Sequence, residues 1–480
     1  MQIYNARSFP LLSDLGSVAH SFPVSTPQTR FAFWISVLSL ALPVAAQMLL
    51  QSLLGMADVL MVGGLGASAI AAVGLAAKIH FLLLVLMSGL ATGCSVLIAQ
   101  YTGARNFAAC QRTLAVTLFV GLLVMVPFTL AFGLVAPLWV SWINPDPDVV
   151  RLAAQYLRIT APVLLLSQVI VVYEASLRAL GNTAMPLAAG VVAGVTNILL
   201  NYALIFGHWG FPALGVAGAA WGTLIARVMQ LLVIMGWLYA RRHGFALSWS
   251  ALRLGVDREQ ISRYLAFSLP LVANYAIWAL GNATYHVVTG FAGTDALAVM
   301  GVIVPIESAF FALFVGLANA SAVMIGRELG ADNRDQAWRL HVFFDRLTLV
   351  LVVFFSIALF FLRSQVLRIF DQLDEQASQL LMDTLAVFSL LVWLKVFNMI
   401  RIIGVLRAGG DNRFCLIVDT IVMWAIGLPI YTAAVFFGNF WFVILYALMF
   451  FEDACKFVPV LRRLRKKSWM NNLTRGHAND

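Results

Sequence analysis

The chain has 480 residues, of which 61% are hydrophobic and only 11% are charged, against about 25% charged residues in an ordinary soluble protein. With a mean hydropathy of +0.90, this composition excludes a soluble enzyme with a single anchor and predicts a polytopic membrane protein. The net charge of +9 does not indicate nucleic-acid binding, because the basic residues lie in short loops and a C-terminal tail, where they suit an anionic membrane surface.

The first 30 residues are polar and contain no apolar core of a signal peptide, so we expect a cytoplasmic tail over 1–30. Twelve segments long enough for the about 20 residues of a membrane span follow. They lie at 32–60, 68–99, 113–140, 152–177, 184–207, 214–240, 262–290, 296–326, 342–362, 378–406, 414–437 and 440–461. The predicted fold is therefore all-α, with twelve transmembrane helices.

The first span carries the most informative residue. Asp58 lies beyond Pro43 in an otherwise apolar segment, and an ionisable group at bilayer depth is expensive and therefore a candidate functional group. Pro43 removes a backbone hydrogen bond, so it is a hinge or a static kink. Gln51 lies two helical turns before Asp58 on roughly the same face. The alternative for Asp58 is a carboxylate at the rim of the membrane.

The loops predict the orientation. One set holds most of the Arg residues, up to the tail that begins at Arg462, whereas the opposite set is rich in Asp. The excess of positive charge marks the cytoplasmic side. Both termini should then be cytoplasmic, as an even number of spans requires, and we expect a multi-pass protein of the bacterial inner membrane.

The two halves of the chain repeat each other. One constant offset, the first register, places Pro43 on Pro270 and residues 89–106 on 316–333. A slightly larger offset, the second register, places LRALGNT (177–183) on LRAGGDN (406–412). We predict two six-helix lobes, 31–240 and 262–461, related by a pseudo-twofold axis. A loop over 241–261 joins them, and a basic cytoplasmic tail covers 462–480.

The first register also pairs the polar residues of the first span with residues of the seventh. It places Asp58 on Tyr285 and Gln51 on Trp278. The second copy of this helix thus kept the proline and lost these polar groups, which predicts that coupling lies in one lobe, around one acid.

These motifs, together with Asn197-x-x-x-Asn201 and IFGHWGFPALGVAGAAWGT, occur in an order that resembles the MATE (multidrug and toxic compound extrusion) family over about residues 31–465. The resemblance implies a V-shaped exporter of amphipathic, often cationic compounds that alternates between outward-open and inward-open states. It implies that Asp58 is the cation-coupled carboxylate, with Asn197, Asn201 and Gln51 around it, and that Pro43 matches a proline that bends in some members. For the two Asn residues, the alternative is hydrogen bonding between helices.

The chain departs from the family pattern at two places. Many members have an acid where this chain has Asn201. Members of the bacterial drug/Na⁺ branch also have acids in helices seven and ten, whereas the stretches LVANYAIWALGNATYHVV and LLVWLKVFNMIRIIGVLR of these helices contain none here. We therefore expect coupling to H⁺ in preference to Na⁺, centred on Asp58.

The candidate cavity residues of the second lobe are Trp278, Tyr285, Glu307, Lys395 and Arg401. Glu307 and Lys395 form a neutral buried pair in one interpretation. In the other, Lys395 lines a wet cavity, which would favour zwitterionic or anionic substrates over cations. The four cysteines show no metal-ligand spacing, so we expect no metal and no cofactor besides the coupling ion.

The sequence therefore predicts a monomeric secondary active exporter that contacts membrane lipids, small amphipathic substrates and no nucleic acid. The main alternative is a flippase for a lipid-linked precursor, which needs a cationic cavity such as Lys395 and Arg401 would supply. A channel fits the duplicated lobes less well. An enzyme is not expected, since no HExxH, GxSxG or paired-acid motif occurs.

Overall fold

The computed structural model describes residues 30–246, 257–368, 375–438 and 440–475. The predicted N-terminal tail, the middle of the predicted loop 241–261 and the last five residues lie outside this part of the chain. Within it, the first six helices are α1 (Arg30–Gly63), α2 (Ala67–Gly103), α3 (Phe107–Ile143), α4 (Pro147–Ala179), α5 (Ala184–Phe206) and α6 (Val216–Ala240). The next four are α7 (Arg258–Gly290), α8 (Thr294–Gly330), α9 (Arg334–Leu367) and α10 (Glu375–Leu406).

The last three helices are less regular than predicted. Helix α11 (Asn412–Phe437) contains a π-helical turn at Ile421–Gly427, and α10 ends in another at Ile400–Leu406. Helix α12 consists of two segments, Phe442–Met449 and Phe451–Arg465. The single span predicted at 440–461 is therefore interrupted at Phe450, and only the other eleven helices are each long and apolar enough by themselves to cross a membrane in the described part of the chain. Nevertheless the all-α membrane fold is confirmed.

The internal repeat reappears in the helix boundaries. Helix α2 begins at Ala67 and ends at Gly103, and α8 begins at Thr294 and ends at Gly330, so both ends follow the first register. The helices that come next are capped alike: the side chain of Asn106 accepts a hydrogen bond from the Ala109 amide at 3.0 Å, and that of Asn333 accepts one from Gln336 at 3.4 Å. An N-cap of this kind satisfies a backbone donor that the helix leaves unpaired.

The two lobes meet through α1, α2, α7 and α8, with α1 against α8, α2 against α7, and α2 against α8. A methyl group added at Gly89 of α2 would overlap Val272 of α7, and one added at the equivalent Gly316 of α8 would overlap the backbone of α1 at Ala41. Small residues allow helices in a membrane to approach this closely. These contacts lie in the halves of the helices nearer the turns 104–106 and 331–333. We call this end the basic end, because it carries the arginine-rich turns.

Candidate functional site

Asp58 of α1 contacts the two predicted asparagines of α5. The Asn201 amide donates a hydrogen bond from Nδ2 to Asp58 Oδ1 at 2.7 Å, and the same nitrogen lies 3.3 Å from Asn197 Oδ1. Both asparagines are buried and Asp58 is half-buried. They lie one turn apart, so they share a face of α5. The structure thus brings together three of the residues that the sequence singled out.

A second polar group of the first lobe was not predicted and centres on Glu174 of α4. Its Oε1 accepts hydrogen bonds from Gln47 of α1 at 2.9 Å and from Gln230 of α6 at 3.0 Å. Arg178, one turn further along α4, lies 3.6 Å from Glu174 Oε2 and donates to Gln47 Oε1 at 3.2 Å. Because a buried charge is costly unless paired and hydrogen-bonded, this arrangement is what allows Glu174 to lie at 4% exposure.

Arg227 of α6 connects the two groups. Its Nη1 donates to Gln230 Oε1 at 2.8 Å, and its guanidinium interacts electrostatically with both Asp58 and Glu174. Two carboxylates and two guanidinium groups therefore occupy this part of the lobe. A change of charge on Asp58 would be felt by Arg227 and, through Gln230, by the group around Glu174.

Gln51 does not belong to either group. Its side chain is exposed on α1, whereas Gln47, one turn earlier, is only 1% exposed and hydrogen-bonded as described. Gln51 is not hydrogen-bonded to Asp58, Asn197 or Asn201 in the described part of the chain, and its role as a pocket residue stays a prediction. Gln47 and Gln51 lie one turn apart on the same side of α1, so they differ in their height along the helix, and Gln47 lies at the height of Glu174 in α4. Pro43 lies inside the continuous helix α1, and its role as a hinge stays a prediction.

The second lobe has a buried polar group of its own, although Tyr285 and Trp278 replace Asp58 and Gln51 there. Asn274 of α7 donates to Asp419 Oδ2 of α11 at 2.8 Å and accepts from Arg407 at 2.5 Å. Asn274 is equivalent to Gln47 by the first register, and Arg407 is equivalent to Arg178 by the second. In each lobe an arginine binds an amide that in turn binds a carboxylate.

Lys456 of α12 completes this second group. Its ammonium lies 3.0 Å from Asp419 Oδ1 and 2.5 Å from Glu452 Oε1. The hydroxyl of Tyr285, the equivalent of Asp58, donates to Glu452 Oε2 at 3.0 Å. Asp453 accepts a hydrogen bond from Asn398 at 3.1 Å. The acids of this group thus come from α11 and α12, which the sequence argument did not consider.

The remaining cavity candidates are separated from one another. Arg401 is buried and bound in a bidentate manner by Asp345 of α9, with Nη2 to Oδ2 at 2.7 Å. Glu307 accepts a hydrogen bond from the Tyr446 hydroxyl. The predicted pair between Glu307 and Lys395 is not formed in the described structure, where the Lys395 ammonium lies over the rings of two phenylalanines, Phe311 at 5.7 Å and Phe450 at 5.3 Å. Trp278 is 44% exposed.

Within the described ranges, no group of three or more His, Cys, Asp or Glu residues could hold a metal ion. The ionised side chains are instead bound to one another, as in Arg401 with Asp345.

Comparison with known proteins agrees with this architecture. The family model described as MatE matches residues 43–203 and 270–448. The probable multidrug resistance protein YoeA of Bacillus subtilis is 26% identical over 85% of this chain and 88% of its own length. The probable multidrug resistance protein NorM of Thermotoga maritima is 26% identical over 82% and 84%.

Solved structures show the same fold. An outward-facing conformation of a multidrug resistance MATE family transporter superimposes with a TM-score of 0.81 at 21% identity, over 91% of this chain and 96% of that one. A MATE protein crystallised in a straight conformation gives a TM-score of 0.81 with the same identity and coverage. The fold is therefore the same although only about a fifth of the aligned residues are identical.

Proposed function

The chain belongs to the MatE family of multidrug efflux transporters, and we propose that it exchanges external H⁺ for amphipathic, mainly cationic compounds by alternating access. We place it as a monomer in the bacterial inner membrane with both termini in the cytoplasm. The observation that carries the proposal is the 2.7 Å hydrogen bond from Asn201 to Asp58, the acid that the sequence singled out on α1.

The coupling step follows from the contacts of Asp58. In the outward-open state a proton binds the carboxylate and removes the charge that holds Asn201. Arg227, which interacts with both Asp58 and Glu174, is then left to the Glu174 group alone. Because Gln47 of α1 belongs to that group, the change reaches the part of α1 one turn beyond Pro43. Helix α1 rearranges there, the substrate leaves, and the proton is released after the lobes rock.

A ligand drives such a cycle only through its different affinity for the two states. The proton supplies this difference if Asp58 is more accessible or less well hydrogen-bonded in one state than in the other. The π-helical turns in α10 and α11, a feature frequently found at functional sites, lie beside the polar group of the second lobe and provide a place for a complementary rearrangement.

The flippase alternative has less support. It requires cationic side chains that are available to a lipid phosphate, and Arg401 is already bound by Asp345 at 2.7 Å. Lys395 is then the cation of the cavity that is left for a lipid phosphate. A phosphate site commonly uses several donors, and one ammonium group does not supply them.

Asp58→Asn in everted membrane vesicles tests the proposal. We expect drug-driven proton movement to be lost while the protein stays folded, and the exposed acid Asp295 provides the control as Asp295→Asn. Undiminished coupling in Asp58→Asn would overturn the mechanism. Replacing Na⁺ by choline at fixed pH should leave efflux nearly unchanged, and a strict requirement for Na⁺ would overturn the preference for H⁺.

A further inference from the structure

The two lobes exchange hydrogen bonds at the basic end. Gln100 of α2 donates from Nε2 to the carbonyl of Ala408, in the turn after α10, at 2.8 Å. Arg327 of α8 donates from Nη2 to the carbonyl of Ala179, at the end of α4, at 3.0 Å. Gln100 and Arg327 are equivalent by the first register, and the two alanines by the second. Each lobe therefore reaches into the same turn of the other.

The backbones at this crossing are in contact. A methyl group added at Gly103 would overlap the carbonyl of Arg327, and one added at Gly330 would overlap the carbonyl of Gln100. The basic end is thus closed by direct packing of α2 on α8. An opening of the molecule at this end has to separate these glycines and break both side-chain contacts.

The C-terminal segment, residues 466–475, breaks the symmetry of this closure. It adds two hydrogen bonds to Gln100: the Leu473 amide donates to Oε1 at 2.7 Å, and Nε2 donates to the carbonyl of Asn471 at 3.2 Å. Gln100 is 0% exposed. Its whole amide is therefore engaged by the second lobe, through the turn at Ala408 and through the C-terminal segment.

The C-terminal segment itself is anchored on the second lobe. The Trp469 side chain is fully buried and donates to the carbonyl of Leu464 at 3.3 Å. The Asn471 side chain donates to the carbonyl of Gly409 at 3.0 Å, and Arg475 forms an ion pair with Asp332. When the lobes move apart, the segment stays with the second lobe, and its bonds to Gln100 are the ones that break.

We propose that residues 466–475 and Gln100 form a latch between the lobes that stabilises the state closed at the basic end and so sets how often this end opens. The proposal depends on the alternating access of the proposed function, but not on the substrate or the coupling ion. Contacts that form in one state and not in the other shift the equilibrium towards the first state by their own free energy. The hydrogen bonds between the C-terminal segment and Gln100 are contacts of this kind.

The test measures the separation of the lobes directly. Spin labels are placed at two exposed, equivalent positions near the basic end, Arg112→Cys and Arg339→Cys, with the four native cysteines replaced by alanine. Distances are measured on the full chain in lipid nanodiscs at fixed pH, without drug. Gln100→Leu keeps the bulk of the side chain and removes every hydrogen bond. Thr102→Val on the same helix is the control, since its hydroxyl donates to the carbonyl of Ile98 within α2.

We expect Gln100→Leu to raise the ratio of open to closed molecules about tenfold, the factor that about 1.4 kcal/mol provides, and Thr102→Val to leave it unchanged. Leu473→Pro removes the amide that donates to Gln100. Leu473 lies beyond α12 and outside the helices, so this variant keeps the test valid if Gln100→Leu fails to fold. It should raise the ratio about threefold, and the two changes should not be additive because they remove the same contact.

An unchanged distance distribution in Leu473→Pro and in folded Gln100→Leu would overturn the latch. If the effects of Gln100→Leu and Leu473→Pro on the ratio are fully additive in the double variant, the C-terminal segment has no role in the latch. Because no drug or ion gradient is present, a failure to transport the expected compounds would count against the proposed function and leave this result unaffected.

Discussion

Gln47 and Asn274 occupy equivalent positions on α1 and α7 and are held in the same way. Each amide oxygen accepts a hydrogen bond from an arginine, Arg178 at 3.2 Å and Arg407 at 2.5 Å, and each amide nitrogen donates to a buried carboxylate of its own lobe. The duplicated helix therefore retained a polar anchor one turn after the proline. The anchors fix α1 and α7 at the middle of each helix, whereas Asp58 holds α1 about three turns further from the basic end.

The first prediction concerns the anchor of α1. Gln47→Leu removes a donor from Glu174 and an acceptor from Arg178, and leaves both charges less satisfied. We expect the free energy of unfolding to fall by about 1–3 kcal/mol, the cost of a buried polar group without its partner. Thermal unfolding of the purified protein in detergent measures the effect as a lower apparent Tm.

Gln51→Leu is the matched control. It is the same substitution at an exposed position of the same helix, and it should change the free energy of unfolding by no more than about 0.5 kcal/mol. Equal losses in the two variants would show that Glu174 does not depend on Gln47.

The second prediction concerns Lys456, whose ammonium neutralises Asp419 and Glu452. Lys456→Met leaves these two carboxylates buried together. Removing one member of a buried ionic group costs about 3–5 kcal/mol, so we expect a large drop in Tm or loss of folded protein. Lys466→Met, at an exposed position beyond α12, should be tolerated. Adding Asp419→Asn and Glu452→Gln to Lys456→Met should restore much of the stability, and a failure to do so would assign Lys456 another role.

The fold was predictable because the duplication makes two independent sets of motifs agree. Pro43 with Pro270, and Gly103 with Gly330, fix the register of both halves, and the observed helix ends follow it. The π-helical turn of α10 and the break at Phe450 were not predictable, because no proline lies at either place and both depend on how the helices pack. The π-helical turn of α11 ends two residues before Pro429, a local signal that the sequence argument did not use.

The sequence predicted the site only where an ionisable residue lies inside an apolar span, because burying such a group in the membrane costs free energy. Asp58 is a lone acid in an apolar span, and that signal led to Asn197 and Asn201. Gln47 and Gln51 could not be distinguished, because they lie one turn apart on the same side of α1, and the sequence does not show which height along the helix meets a polar group of another helix. Glu174 and Arg227 carry the same signal as Asp58, an ionisable group within a span, and that signal could have found them.

The third prediction separates the roles of the two asparagines. Asn201 donates to Asp58, whereas Asn197 reaches it only through Asn201. A hydrogen bond to a charged group contributes about 1.5–3 kcal/mol. We therefore expect Asn201→Leu to slow drug efflux under a fixed pH gradient about tenfold or more, and Asn197→Leu to have a smaller effect. Initial rates in proteoliposomes with matched protein content measure both. A larger loss in Asn197→Leu would indicate that Asn197 contacts the coupling ion directly.

The fourth prediction concerns the charge of the substrate. Lys395 is half-buried, forms no ion pair in the described part of the chain, and lies 5.3 Å from the ring of Phe450. A positive charge about 8 Å from a bound cation costs about 2 kcal/mol at an effective dielectric constant of 20. Lys395→Gln should therefore raise kcat/KM for a cationic dye relative to an anionic dye by five- to thirtyfold, to order of magnitude. Lys395→Arg keeps the charge and should keep the parent ratio. If Lys395→Gln also keeps that ratio, substrates do not approach this part of the second lobe, and their charge is selected in the first lobe around Asp58.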